Sequence, residues 1–86
     1  MNISVDLTLT PLASDYAPAI KAFIMRLRSS DFVIQETPLS TQIYGDYDAL
    51  IPFLTREIKA AFESDSGVVL HMKMFNSDRS QYVPNF

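Results

Sequence analysis

Hydrophobic and polar residues alternate strictly over residues 3–10, near the start of the chain. One set of positions is apolar and the other is polar: Ile3, Val5, Leu7 and Leu9 against Ser4, Asp6, Thr8 and Thr10. A period of two predicts a β-strand with one buried face. Pro11 should end the strand, because proline cannot donate a hydrogen bond to a neighbouring strand.

Two later segments carry apolar residues at helical spacing. The first stripe comprises Tyr16, Ala19, Ile20, Phe23, Ile24 and Leu27, and the second Leu50, Leu54, Ile58, Ala61 and Phe62. Spacings of three and four residues predict amphipathic helices. We expect Ser14 or Asp15 to cap the first helix and Asp46 or Asp48 to cap the second.

Three short β-prone runs complete the pattern, at residues 31–36, 39–44 and 68–75. The turn at Thr37-Pro38 is short, so the first two runs should form an antiparallel hairpin, and Gly45 should end the second run. The order is βαββαβ, which right-handed crossovers arrange as an antiparallel sheet of strand order 4-1-3-2. We therefore predict an α+β, ferredoxin-like domain over residues 1–79, with a tail at residues 80–86.

Both helices should cover one face of this sheet, which leaves the other face open. Alternation places Asp6, Ser40, Tyr44 and His71 on the open face, and Thr41 and the pair Met72 and Met74 on the helix-covered face. The methionines should therefore fill the core. The open face mixes apolar and polar groups, and the last strand is a long apolar edge. Both features favour a homo-oligomer.

Composition excludes several classes of function. The 86-residue chain has a net charge of −3 and no cluster of basic residues, so nucleic-acid binding is not expected. It has no cysteine, no apolar run of membrane-spanning length and no signal peptide, which indicates a soluble cytoplasmic protein. No metal or cofactor motif and no nucleophile–base pair is present, so we expect no enzyme activity.

Three side-chain types remain as candidates for chemistry. A single histidine, His71, is a weak metal signal, so a structural or interface role is favoured. Asp6 sits in mid-strand, where aspartate is disfavoured, and serves either a site or an ion pair with Lys73. The adjacent hydroxyls Ser40 and Thr41 should divide their roles. Ser40 should face a ligand, and Thr41 should bond backbone near the Pro38 turn or the following helix.

The segment from Pro38 to Asp46 resembles the thiamine-binding-protein family, also called YkoF-like. Members of this family commonly carry Gly-Pro-Met-Ser-Thr, an apolar residue, a glycine and an acidic helix start. The matching positions are Pro38, Ser40, Thr41, Ile43, Gly45 and Asp46. Thr37, Leu39 and Tyr44 stand where the family commonly has glycine, methionine and an acid. The resemblance extends over residues 3–79.

This resemblance implies a ferredoxin-like fold, a cytoplasmic location and oligomers built through the sheets. It also implies non-catalytic binding of thiamine or its hydroxymethylpyrimidine part. Asp6 or Glu36 would offset the thiazolium charge, and aromatic rings would stack on the heterocycle. The ligand-binding candidates are Asp6, Thr8, Glu36, Ser40, Thr41 and Tyr44.

Two other classes of function share this predicted topology. A structural or regulatory oligomerisation module would need no ligand at all. An acylphosphatase would need an arginine in the loop after the first strand, and residues 10–18 contain none.

Overall fold

A computed structural model describes all residues from Met1 to Phe86 and shows the order βαββαβ. The strands are β1 (Asn2–Pro11), β2 (Val33–Glu36), β3 (Thr41–Asp46) and β4 (Val68–Phe75), and the helices are α1 (Ala17–Arg28) and α2 (Tyr47–Ser64). The four strands form one antiparallel sheet in the order β2-β3-β1-β4. The predicted ferredoxin-like architecture is thus confirmed. No helix is long and apolar enough to cross a membrane.

Strand β1 is the structural centre of the molecule, because it pairs with β3 on one side and β4 on the other. Its apolar positions are almost wholly buried and join one core with residues from both helices and β3. The core residues are Ile3, Val5, Leu7, Leu9, Phe23, Leu27, Ile43, Leu50, Leu54 and Ala61. The alternation of β1 therefore assigns the two faces of the sheet as predicted.

The strand predicted at residues 39–44 has different bounds in the structure, because Gly45 does not end it. Strand β3 starts at Thr41 and continues through Gly45 to Asp46. A Cβ atom on Gly45 would lie 2.5 Å from Cδ1 of Phe32, whose ring in turn packs 5.4 Å from that of Phe53. The glycine is thus present to admit an aromatic ring and not to break the strand.

Helix α2 begins as predicted, and α1 does not. Asp46 has extended backbone and its side chain accepts a hydrogen bond from the Asp48 amide, so it is the N-cap of α2. In α1 the N-cap position is Tyr16, which makes no side-chain capping bond. The predicted caps Ser14 and Asp15 are therefore wrong. Pro18 in the first turn reduces the number of amides that need a partner.

Several predicted core positions are exposed. Met72 and Met74 lie on the helix side of β4, opposite Leu7 and Val5. They are nevertheless 45% and 47% exposed, because β4 is an edge strand and the core lies over the centre of the sheet. Phe62, the last residue of the predicted α2 stripe, is 47% exposed as well.

After β4 the chain turns back across the open face of the sheet. We call residues 76–82 the C-terminal strap. The Ser4 hydroxyl donates to the Ser77 carbonyl (2.7 Å) and accepts from the Arg79 amide (2.9 Å). The Gln35 side chain donates to the Ser80 carbonyl (2.9 Å). Because Ser4 lies on β1 and Gln35 on β2, the strap crosses β3 between them.

We expect Gly45→Ala to lower the free energy of unfolding by about 1–3 kcal/mol, the usual cost of overpacking a core. Gly67→Ala is the matched control, since its Cβ would meet Leu12 at an ordinary 3.6 Å. Urea denaturation of both variants checks this. A second variant, Gly45→Ala with Phe32→Leu, should recover part of the loss. Equal stability of the two alanine variants would contradict the steric explanation.

Candidate functional site

The turn between β2 and β3 is built by the hydroxyl of Thr37. This hydroxyl donates to the Ser40 carbonyl (3.0 Å) and accepts from the amides of Leu39 (3.3 Å) and Ser40 (3.1 Å). The Thr37 amide also donates to the Ser40 carbonyl (2.9 Å). Threonine hydroxyls commonly satisfy turn backbone in this way. The turn-holding role that the sequence assigned to Thr41 therefore belongs to Thr37, four residues earlier.

This turn is also fastened to the centre of the sheet. The Thr8 hydroxyl on β1 donates to the Leu39 carbonyl (3.3 Å) at the tip of the turn. Leu39 itself is 84% exposed, so the contact holds the backbone and not the side chain. Thr8 was a candidate for ligand binding, and its hydroxyl is engaged by the turn.

A cleft of about 180 Å³ lies between this turn, β1 and α1, and we call it the turn cleft. Its apolar lining comes from Leu7, Leu9, Ile20, Phe23, Ile24, Pro38 and Leu39. Its polar lining comes from Thr8, Thr37, Ser40 and Thr41, and no charged side chain is among the lining residues. The turn cleft therefore combines an apolar floor with a rim of hydroxyl groups.

Thr41 is the least expected feature of the turn cleft. Its side chain is buried, with a residue exposure of 7%, yet its hydroxyl makes no hydrogen bond within the chain. No fully buried side-chain oxygen lacks a partner, so the Thr41 hydroxyl must retain contact with the space beside it. The predicted bond from Thr41 to backbone is wrong, and this hydroxyl is free to bind a ligand.

Ser40 belongs to both faces of the sheet. It lines the turn cleft, and its hydroxyl accepts a hydrogen bond (2.8 Å) from the side-chain amide of Gln42 on the open face. The same amide donates to Oδ1 of Asp6 (3.0 Å). Gln42 thus links Asp6, on the open face of β1, to a hydroxyl at the mouth of the turn cleft.

The carboxyl group of Asp6 is held in its charged form. Burial raises its pKa, but hydrogen bonds from Ser40 and Gln42 and the charge of Lys73 together bring the pKa below its ordinary value. Lys73 lies directly opposite Asp6 in the β1–β4 register. It acts on Asp6 through its charge.

The remaining two candidates lie apart from the turn cleft. Glu36 points to the helix side, where Arg28 donates to both of its carboxylate oxygens at 2.7 Å and lowers its pKa. Tyr44 lies under the C-terminal strap and is only 7% exposed, and its hydroxyl donates to Gln35 (3.0 Å). The structure therefore brings Thr8, Ser40 and Thr41 together, adds Asp6 through Gln42, and leaves Glu36 and Tyr44 elsewhere.

Sequence reasoning missed Gln42 and Thr37. Alternation places Gln42 on the open face between Ser40 and Tyr44, but it cannot show that the Gln42 amide spans Asp6 and Ser40. A threonine in the short turn, four residues before the start of β3, was the available signal for Thr37.

Solved structures share this fold. No family model matches the sequence, and a search of curated proteins finds no match. A Streptococcus pneumoniae protein superposes with a TM-score of 0.83 at 22% identity, covering 91% of this chain and 89% of its own. A Thermotoga maritima protein named "putative thiamine biosynthesis/salvage protein" gives 0.80 at 14% identity, covering 90% and 85%. A domain of unknown function, DUF77, from Bacillus cereus gives 0.75 at 16% identity, covering 90% and 77%. At these identities the likeness establishes the fold alone.

We expect Gln42→Met to raise the pKa of Asp6, because this nearly isosteric change removes an amide donor from the carboxylate. Thr10→Val, on the same strand as Asp6, is the control. NMR titration of the side-chain carboxyl carbons measures both. A lowered folded pKa contributes stability above the ordinary aspartate pKa, and this contribution is lost as the pH falls through the folded value. The acid transition of Gln42→Met should accordingly begin at a higher pH. An unchanged Asp6 pKa would show that the Gln42 contact carries no energy.

Proposed function

We propose that the protein binds a small heteroaromatic molecule of the thiamine type, without catalysis, in the turn cleft. The ligand class is thiamine or its hydroxymethylpyrimidine part, and the working form is a cytoplasmic homo-oligomer. The observation that carries the proposal is Thr41, a buried residue that lines the cleft between sheet and helix and whose hydroxyl makes no hydrogen bond within the chain and stays open to the cleft.

The size and lining of the turn cleft suit a single ring. A six-membered ring such as benzene occupies an apolar protein cavity of about 150 Å³, and the turn cleft measures about 180 Å³. Leu7, Phe23 and Ile24 offer apolar contact to the faces of a ring. The hydroxyl of Thr41 can donate to a ring nitrogen, and the hydroxyls of Ser40 and Thr41 can accept from an exocyclic amine.

No charged residue lines the turn cleft, and this favours entry of the neutral part of thiamine over its cationic part. The pyrimidine part is neutral and fits an uncharged cleft, whereas the cationic thiazolium would lose its solvation there. We therefore place the pyrimidine in the turn cleft and the thiazolium outside it. Asp6 then acts by orienting Ser40 through Gln42, and Glu36 remains engaged with Arg28.

Two independent lines support the thiamine type over other ring ligands. The sequence resembles the thiamine-binding-protein family most closely at residues 38–46, which contain Ser40 and Thr41, two of the hydroxyl residues of the turn cleft. One structural neighbour over 90% of this chain carries a thiamine biosynthesis or salvage name. Neither line depends on the cleft geometry, which separately favours a neutral ring.

We expect Thr41→Val to weaken binding of the hydroxymethylpyrimidine roughly two- to tenfold, the value of one lost hydrogen bond. Its melting temperature should stay the same or rise, because the hydroxyl has no partner within the chain. Thr10→Val, on the exposed open face, is the matched control. Isothermal titration calorimetry and thermal melts of the same samples separate the two effects.

A thermal-shift series with thiamine, thiamine phosphates and the free pyrimidine tests the ligand class. Thiamine and the pyrimidine should stabilise the protein to similar extents if only the ring enters the turn cleft. Stabilisation by neither compound, or binding that Thr41→Val leaves unchanged, would contradict the proposal.

The exposed edge of β4 favours a second candidate function, that of an oligomerisation module that needs no ligand. The outer edge of β4 is unpaired over Val68–Phe75, and Met72, Met74 and Phe75 are 45–48% exposed. Long apolar edge strands of this kind are commonly paired or covered. A second copy adding its β4 in antiparallel fashion would extend the sheet and cover these side chains.

We expect Met74→Lys to shift sedimentation of the protein towards the 9.7 kDa monomer, because a charge at the paired edge would be buried without a partner. Met25→Lys on α1 is the control, since Met25 is 52% exposed and Met74 47%. Ligand stabilisation in the same samples distinguishes the two functions. A wild-type monomer at micromolar concentration would contradict association through β4.

A further inference from the structure

A second hollow lies on the open face, on the opposite side of the sheet from the turn cleft. It measures about 490 Å³ and is lined by Tyr44, Phe75, Arg79 and Tyr82. We call it the strap hollow, because Arg79 and Tyr82 belong to the C-terminal strap. Three aromatic rings and one guanidinium form its walls.

The strap hollow is formed by defined hydrogen bonds. Ser4 holds the backbone of Ser77 and Arg79, and Gln35 holds the carbonyl of Ser80. A further bond from the Tyr82 amide to the Arg79 carbonyl (3.0 Å) closes a turn that carries the Tyr82 ring to the hollow. The strap is thus bonded to β1 at one point and to β2 at another, and its Arg79 and Tyr82 side chains line the hollow together with Tyr44 and Phe75.

Arg79 is the only charged residue among those that line the strap hollow. Its guanidinium carbon lies 4.7 Å from the centre of the Phe75 ring, and it forms no ion pair. The neighbouring Asp78 turns its carboxylate to the Ser80 amide (2.8 Å) instead. A guanidinium stacked on a ring keeps its N–H donors in its own plane, where they can bind a carboxylate through two parallel bonds.

The surrounding charges restrict where an anion can sit. Burial, and then the charges of Asp78 and Asp6, raise the pKa of the Tyr44 hydroxyl, so the Tyr44 end of the hollow disfavours negative charge. Lys73 lines an adjoining hollow that shares Phe75, but it faces Asp6. The free positive charge is therefore at Arg79, beside Phe75, with the tyrosine rings on the other side.

We propose that the strap hollow binds a small planar aromatic carboxylate, with its ring against Tyr44 and Tyr82 and its carboxylate on the Arg79 guanidinium. Aromatic walls recognise the flat ring through stacked or edge-to-face contacts. The single unpaired guanidinium selects one anionic group. This site differs from the turn cleft in face, charge and lining, so a second ligand class binds there independently.

NMR titration of the backbone amides with benzoate tests the site, and benzamide is the neutral control of the same shape. Benzoate should shift the amides of residues 75–82 and of Tyr44, with at least about tenfold tighter binding than benzamide. Inorganic phosphate should bind more weakly than benzoate, because it gains nothing from the rings. Equal binding of benzoate and benzamide, or of benzoate and phosphate, would overturn the proposal.

Variants assign the contact to Arg79. Arg79→Gln should reduce benzoate affinity about tenfold or more, whereas Arg56→Gln, an exposed arginine on α2, should leave it unchanged. Thr41→Val should also leave benzoate binding unchanged, which separates this site from the turn cleft. Arg79 is exposed and makes no ion pair, so its replacement should lower the melting temperature only slightly, through loss of the stacking on Phe75. Equal effects of the two arginine variants would overturn the assignment.

Discussion

The two-residue period of β1 is the constraint on which the rest of this structure depends. Its apolar face supplies four of the ten core residues, and its polar face holds three other parts of the chain. Ser4 bonds the C-terminal strap, Asp6 accepts from Gln42 on β3, and Thr8 bonds the turn before β3. A one-residue slip of this strand would exchange its two faces and so lose the core and all three contacts together.

The hydroxyl groups of Ser40 and Thr41 are available to a ligand because a neighbouring residue, Thr37, holds the turn. The Thr37 hydroxyl accepts from the amides of both Leu39 and Ser40. The side chains of Ser40 and Thr41 are therefore not needed to hold the turn. Ser40 is then oriented by Gln42, and Thr41 is left buried beside a cleft. An apolar residue at Thr41 would serve packing equally well, so the hydroxyl has no structural purpose that the contacts within the chain reveal.

The fold was largely predictable from the sequence, because β1 and the helical stripes are periodic and local. The site was not, because its features depend on contacts between distant residues. Gly45 was interpreted as a strand end, but its reason is the Phe32 ring, thirteen residues away in sequence. The prediction placed Met72 and Met74 on the correct face but wrongly expected them to be buried. Alternation shows which way a side chain points, but it cannot show how far the helices extend over an edge strand. The bond from Gln35 to the Ser80 carbonyl joins β2 to a segment 45 residues away, a contact that no local pattern indicates.

The small size of the domain explains why its candidate sites lie at margins. A chain of 86 residues has one layer of core between two helices and a sheet, and that layer is filled by ten buried side chains. A ligand can therefore enter only where an element ends, as at the turn cleft, or where a segment is added outside the sheet, as under the strap. Strand β3 contributes to both places, with Thr41 at the turn cleft and Tyr44 at the strap hollow on opposite faces of the sheet. The alternation that builds the core thus also gives this small domain two chemically distinct surfaces, one neutral and hydroxyl-lined, the other aromatic and positively charged.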